Sequence, residues 1–323
     1  MPTINFDVVV IGAGPAGTAA SMRAADLGAK TALVTRDAFG GMSANAGPIP
    51  VRTLAHAARL AREARQLHRY GIVTDDVPHL DYVRLVARAR EVVGEARERS
   101  ILLQQIQAVG VTLFEDVGTV RFADAHTLQT ESGLTFHGDA IIICSGGVSR
   151  TLDVPGAELT VTPADAFSLT ELPKSLLVIG AGATGMQVAS IFNAFGTKIS
   201  LCQGGPRIAP SEDEDISAEL ARAYRNDGID VYEDCGHVRG FEATASGVRA
   251  SFPAKTIETH LVVRCTGWTA DTAALNLAAA GVASDARGFV AVDRFLRTNV
   301  PHVFAAGDVL GRDMLVPQAV RDG

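Results

Sequence analysis

The stretch that most constrains this chain is Asp7 to Gly17, DVVVIGAGPAG. Val8, Val9, Val10 and Ile11 form an apolar β-branched run, the pattern of a strand buried on both faces of a parallel sheet. Gly12, Gly14 and Gly17 follow as G-x-G-x-x-G. In such a turn the first glycine allows a tight bend, the second lets backbone approach a pyrophosphate, and the third lets the helix close on the sheet. Pro15 and Ala16 lie in the loop, and the next helix is expected over about Ala16 to Leu27. Its free amides and positive dipole end face the phosphate. KTALVT (30–35) supplies the following strand, so the glycines sit in the strand–turn–helix setting that a dinucleotide site requires.

A second copy begins at Ser175. The run SLLVI leads into Gly180-Ala181-Gly182-Ala183-Thr184-Gly185, and Lys198 to Cys202 is the next strand. Two such units imply two dinucleotide sites, and so a cofactor exchanging electrons with a second nucleotide. The 323 residues suffice for two domains. No apolar run is long enough to span a bilayer. The first strand begins almost at Met1, which leaves no room for a targeting peptide, so a cytoplasmic protein is expected. A net charge of −7 argues against a nucleic-acid surface. Cys144, Cys202, Cys235 and Cys265 are scattered without C-x-x-C spacing, which reads as reduced thiols without a redox pair or metal site. His56 and His68 lack ligand spacing, and no metal is expected.

Between the two glycine loops, residues 52–107 read as largely helical, and Ala140 to Cys144 reads as a buried strand ending in Ser145-Gly146-Gly147. Leu261 to Gly267 repeats that pattern, and VPHVFAAGD (300–308) ends a last strand in a carboxylate.

Together these motifs resemble the flavoprotein pyridine nucleotide-disulfide oxidoreductases, which include lipoamide dehydrogenase, glutathione reductase and mercuric reductase. GAGPAG resembles their FAD loop and GAGATG their NAD(P)H loop. SGG at 145–147 and CTG at 265–267 resemble their paired A-T-G segments, and FAAGDV at 304–309 resembles the segment whose aspartate, here Asp308, contacts FAD. The resemblance implies an α/β fold of two Rossmann-like three-layer domains, the second inserted in the first. The FAD domain is expected over 1–150 and 288–323, and the NAD(P) domain over 151–287. FAD contacts are implied for Gly12, Gly14, Pro15, Ala16, Gly17, Thr35, Arg36, Gly41, Met42, Ser145, Gly146 and Asp308. Nicotinamide-nucleotide contacts are implied for Gly180, Gly182, Ala183, Thr184, Gly185, Gln203 and Gly267.

Departures from the family pattern carry the functional reading. Its redox loop holds two cysteines, whereas GGMSANAGPIPVR (40–52) has Ser43 and Pro48 at those places. Serine lacks the thiolate chemistry of disulfide exchange, and proline has no functional group. Asn45, Gly47 and Pro50 remain to shape the loop. Arg52 stands where many members carry a lysine near the flavin, and Gln187 stands where they carry its glutamate partner. Arg52 then either stabilises anionic reduced flavin or is an ordinary residue on a solvated helix face. Ala183 replaces a tyrosine that covers the flavin in several members. Thr35 replaces the glutamate that grips the adenosine ribose, a bond worth about 1.5–3 kcal/mol; Asp37 is a substitute or a solvated turn residue. Gln203 chooses poorly between NAD and NADP. Arg207 meets a 2′-phosphate or pairs with Glu212 or Asp213.

The reading is an FAD-dependent NAD(P)H oxidoreductase without a redox disulfide, acting on a small non-disulfide acceptor such as a quinone, oxygen or a dye. A soluble nicotinamide nucleotide transhydrogenase and a catalytically silent nucleotide-binding or redox-sensing module are the alternatives. Members continue past the equivalent of Gly323 into a dimerisation domain, so a homodimer is expected only if such a domain follows.

Overall fold

The structure is a computed structural model that describes residues 2–73 and 79–323. The chain divides into two compact units, one of residues 1–49, 93–148 and 268–323, the other of residues 50–92 and 149–267.

The first unit is built on one mixed sheet. Its strands are β1 (Thr3–Ile11), β2 (Thr31–Val34), β3 (Thr112–Phe114), β4 (Val120–Phe122), β5 (Thr127–Thr130) and β6 (Thr135–Ile143). They run in the order β3-β2-β1-β6-β5-β4, and Val303–Ala305 also pairs with β6. β1 is parallel to both β2 and β6, with Val8 opposite Thr31 and Ala140. Val9, Val10 and Ile11 are buried, as their unbroken apolar run requires of a central strand covered on both sides. Helix Pro15–Asp26 follows β1 and carries Pro15 in its first turn, where a missing N–H leaves no intrahelical bond unmade. Phe6, Phe114 and Phe136 pack edge-on or tilted around the sheet.

The second unit repeats the plan with four parallel strands, β7 (Ser175–Ile179), β8 (Lys198–Cys202), β9 (Asp230–Tyr232) and β10 (Leu261–Arg264), in the order β9-β8-β7-β10. A three-stranded antiparallel sheet over 240–259 adjoins them. Helix Ala183–Ala194 is almost wholly apolar on its buried side, with Met186, Val188, Ala189, Ile191 and Phe192 in the core. Val51, Leu54, Ala58, Tyr82 and Val86 join that same core. Both units are Rossmann-like.

Two boundaries differ from the sequence reading. The first unit's last segment begins at Trp268 rather than near Gly288. Ala270, Leu275, Ala280 and Val282 lie in its core, and Phe122 N–H donates to Leu275 O at 2.8 Å. These residues have no periodic pattern that would have flagged the switch. Among the described residues the helical stretch expected over 52–107 comprises helices Pro48–Ala64, Tyr82–Glu98 and Ile101–Ala108 and a short 3₁₀ helix at Leu67–Tyr70, and residues 50–92 group with the second unit. Among the described residues no helix is long and apolar enough to cross a membrane.

Candidate functional site

The first glycine loop is fixed by backbone geometry. Gly12 has φ +100°, and a Cβ there would lie 2.3 Å from Cys144 O. Its N–H donates to Val34 O at 2.7 Å. A Cβ on Gly17 would lie 1.8 Å from Gly12 O, so no side chain fits between helix and strand at that crossing. Gly14 caps the helix with no side-chain hydrogen bond, and no acid occupies the first turn. The free amides and dipole there are suited to an anion.

A second loop braces the first. Gly40 N–H donates to Ala13 O at 3.0 Å, and a Cβ on Gly41 would come 2.7 Å from Gly14 Cα. Asn45 Nδ2 donates to Ala38 O at 3.1 Å, while Phe39 N–H donates to Glu115, which also holds Arg97 at 2.7 Å. Ser43 Oγ donates to Gly40 O at 3.0 Å. Pro48 is exposed and begins a helix. Met42 is exposed beside them.

Ser145 Oγ is buried without a hydrogen-bond partner among the described residues. An unsatisfied buried hydroxyl costs about 1–3 kcal/mol, and a bound cofactor would supply the missing partner. Gly146, next to it, has φ +82° with open space on its Cβ side. Asp308 is half-buried. Burial, and then the nearby Asp322, hold its carboxyl above the usual range. One Asp322 oxygen takes a bond from Gln318 Nε2 at 2.6 Å, and the other is buried and has no partner among the described residues. A raised folded-state value means that the native state keeps its proton longer than the unfolded chain does. Stability of the cofactor-free chain is therefore expected to fall as pH rises through the interval above 3.8. Asp308→Asn should flatten that part of the profile in denaturant titrations at stepped pH.

Of the residues expected here, Arg36 is ion-paired. It pairs with Asp37 at 2.9 Å and Asp271 at 3.2 Å, so the Asp37 carboxylate, the alternative to a ribose-binding glutamate, is held in an ion pair. Thr35 is buried at the end of its strand, with its N–H donating to Phe114 O at 2.9 Å. Cys144 is buried, and its thiol is pushed up to about 12, so it is inert.

The second glycine loop has the same construction. Gly180 has φ +96° and a Cβ locus 2.4 Å from Cys265 O; the Gly185 locus is 1.8 Å from Gly180 O. Gly180 N–H donates to Cys202 O at 2.8 Å. Around Gly182 there is open space within 4 Å. Thr184 lies in the first turn of the helix that Gly182 caps. Thr266 Oγ1, just past β10, is another buried hydroxyl with no partner among the described residues, and Gly267 beside it has φ +106°. Gln203 Oε1 accepts from Ala181 N–H at 2.9 Å, so it closes the loop on itself. Arg207 pairs with Glu214 at 2.9 Å and donates to the carbonyls of Pro210 and Glu212. Neither Glu212 nor Asp213 is its carboxylate partner.

Beside this loop lies a cleft of about 480 Å³. Ala183, Gln187, Ser190, Glu212 and Tyr224 line it, with Arg62 from the helix that starts at Pro48. Arg62 donates to Ser190 O at 3.2 Å and Tyr224 Oη to Met186 O at 2.9 Å. Gln187 and Ala183 are exposed within it. Arg52 is exposed, and no hydrogen bond or ion pair joins it to Gln187 among the described residues. Thr266 and the cleft's Arg62 and Tyr224 were missed in the sequence. Thr266 was visible as the middle of C-T-G, whereas the other two depend on how the helices meet.

Cys202 and Cys235, distant in sequence, both lie in one buried apolar cluster of the second unit.

Two Rossmann-like units, each with a glycine cradle at a helix start and an orphaned hydroxyl just past the end of the neighbouring strand in the sheet, define an oxidoreductase that binds FAD and a nicotinamide nucleotide. The chain belongs to the pyridine nucleotide-disulphide oxidoreductase family, whose profile it matches over residues 6–323. It is 33% identical to a dihydrolipoyl dehydrogenase of Zymomonas mobilis, covering 99% of this chain and 69% of that protein. A Haemophilus influenzae dihydrolipoyl dehydrogenase is 32% identical, at 99% and 68% coverage. Among solved structures, the HOCl-induced flavoprotein disulfide reductase RclA of Escherichia coli matches with a TM-score of 0.83 and 27% identity, over 98% of this chain and 69% of that one.

Proposed function

We propose that this chain takes hydride from NAD(P)H onto FAD and delivers the electrons to a small non-disulfide acceptor, such as a quinone, oxygen or a dye. The observation that carries the acceptor class is the pair Ser43 and Pro48. One is a hydroxyl tied to its own loop, and the other is a helix-opening ring without a functional group. FAD supplies the redox chemistry when bound. In this reading Gly12, Gly14, Pro15, Ala16 and Gly17 receive its pyrophosphate, Gly41 and Met42 flank it, and Ser145, Gly146 and Asp308 offer polar contacts. Gly180, Gly182, Thr184 and Gly185 receive the second pyrophosphate, with Thr266 and Gly267 beside it, and Ala183 and Gln187 in the adjoining cleft leave room for the nicotinamide end. Arg52 is exposed and has no ion-pair partner among the described residues, which leaves its charge available.

An anaerobic titration tests this. NADH or NADPH should bleach the bound flavin, and a panel of quinones, dyes and oxygen should restore the colour. A flavin left oxidised by both nucleotides would overturn the proposal and favour the silent module.

Gln203, neutral and tied to Ala181, selects neither nucleotide by charge. That supports a transhydrogenase as the second reading. Hydride passage from NADPH to an acetyl-NAD analogue, faster than to any acceptor in the panel, would establish it.

FAD retention should be weaker than with a ribose-binding carboxylate, by about tenfold to a hundredfold. Thr35→Glu is expected to raise the FAD retained through dilution and gel filtration. Equal retention in the two proteins would mean that backbone groups already make that contact.

A further inference from the structure

The cleft beside the second glycine loop runs on past the residues read above as leaving room for the nicotinamide. Ala183 and Ser190 both line it, and about 10 Å of helix separates them. At the Ser190 end, side chains from helices Pro48–Ala64, Ala183–Ala194 and Glu214–Asn226 meet. The lining residues all belong to the second unit. Met186, Ile191, Ile216 and Leu220 make this end apolar. Ile216 is 49% exposed, so part of that wall has nothing packed against it.

Arg62 sets one cation among these walls. It is half-buried, and its Nη1 donates to Ser190 O at 3.2 Å and Ser190 Oγ at 3.4 Å. Its Nε and Nη2 groups make no hydrogen bond, and no carboxylate pairs with it, among the described residues. The next residue, Glu63, pairs with Arg59 at 3.5 Å. The free Nε–Nη2 edge is a planar fork that matches the two oxygens of a carboxylate. Apolar surroundings strengthen such a charge-assisted pair relative to one in water. Tyr224 Oη is spent on Met186 O at 2.9 Å. Glu212 is exposed in the lining and takes a bond from Ser211 Oγ at 3.2 Å. A second negative group on a ligand would be repelled by it, so a single charge fits.

We propose that this end of the cleft binds a small monocarboxylate with an apolar body. The carboxylate lies on the Nε–Nη2 edge of Arg62, and the hydrocarbon lies along Ile191, Ile216 and Leu220. The cleft's volume of about 480 Å³ is that of a small-molecule site. Binding stands whether or not the glycine loop takes a nucleotide. Only the question of whether the anion is reduced, or acts as an effector, rests on the function proposed above.

Isothermal titration calorimetry on the FAD-loaded protein tests this with 2-naphthoate, 2-naphthamide and 2,6-naphthalenedicarboxylate. 2-Naphthoate is expected to bind at least about tenfold more tightly than either of the others. Arg62→Met should weaken it about tenfold to a hundredfold and leave 2-naphthamide unchanged. Arg62→Lys, which keeps the charge and loses the fork, should fall between. Arg65 Nη2 donates to Ala194 O at 2.6 Å, a separate tie between the same two helices, so Arg62→Met should fold. If it does not, Ile216→Asp on the exposed wall should weaken 2-naphthoate by repulsion. Equal binding of the acid and the amide, no heat from any probe, or 2-naphthoate binding untouched by the variants would overturn the proposal. Steady-state reduction of anthraquinone-2-carboxylate and 2-methylanthraquinone then separates the two roles. A KM that Arg62→Met raises for the carboxylate alone makes the anion an acceptor. An unchanged KM with inhibition by 2-naphthoate makes it an effector, and the site stands in both cases. Flavin that neither NADH nor NADPH reduces would defeat the function proposed above, while the calorimetry still decides this site.

Discussion

Lipoamide and glutathione disulfide are expected to be left unreduced by this enzyme while dyes or quinones turn over. Disulfide reduction needs a thiolate that attacks sulfur and a second thiol that releases the product. Ser43 offers a hydroxyl that already donates to Gly40 O, and Pro48 offers no group at all. The loss relative to a dithiol enzyme should be on the order of 10⁴-fold or more, the scale on which enzymes lose activity with their nucleophile. Cys144 and Cys265 cannot stand in, because burial pushes both thiols up to about 12. Steady NAD(P)H-dependent disulfide reduction that persists after replacement of all four cysteines would refute this. The same absence has a spectral counterpart: dithionite reduction without nucleotide should give reduced flavin alone, with no long-wavelength thiolate–flavin band.

The second large effect separates folding from binding within one loop. Gly182→Ala should leave thermal stability unchanged, because φ is −77° and nothing lies within 4 Å of the new methyl. It should weaken NADH and NADPH binding by about tenfold to a hundredfold, since that methyl enters the space a pyrophosphate would use. Gly180→Ala should behave oppositely. Its methyl would meet Cys265 O at 2.4 Å with φ at +96°, and the fold should lose about 3 kcal/mol or more. Differential scanning fluorimetry and fluorescence titration on the two variants give the comparison. Normal nucleotide affinity in Gly182→Ala would place the nucleotide elsewhere.

Both glycine loops and the strands around them were legible because each lies within one short stretch, where apolar run, glycine spacing and helix follow one another. The family resemblance added Asp308 and the 145–147 segment on the same footing. What stayed hidden depends on contacts between distant segments. Gln203 could be placed at a strand end, but its bond to Ala181 needed the turn in three dimensions. Cys202 and Cys235 carry no spacing signal, and only the pairing of β8 with β9 puts both in one buried cluster. Trp268 as the return point of the first unit had no marker, because the residues after it bury singly rather than with a period. Asp75, Asp76 and Pro78, part of the mixed-charge stretch before the second long helix, lie outside the described residues.

The two cradles differ in one respect. Gly14 is met by the backbone of Gly41, whereas Gly182 faces open space. In the reading proposed above, the first cofactor's seat is thus walled by a second segment of chain, and the second seat is open on that side. In kinetic terms the walled seat suits a resident molecule that leaves slowly and survives many turnovers. The open seat suits a visitor that must arrive, react and depart in each cycle. An exchange experiment with isotopically labelled FAD and NADH would read that asymmetry directly as two well-separated dissociation rates.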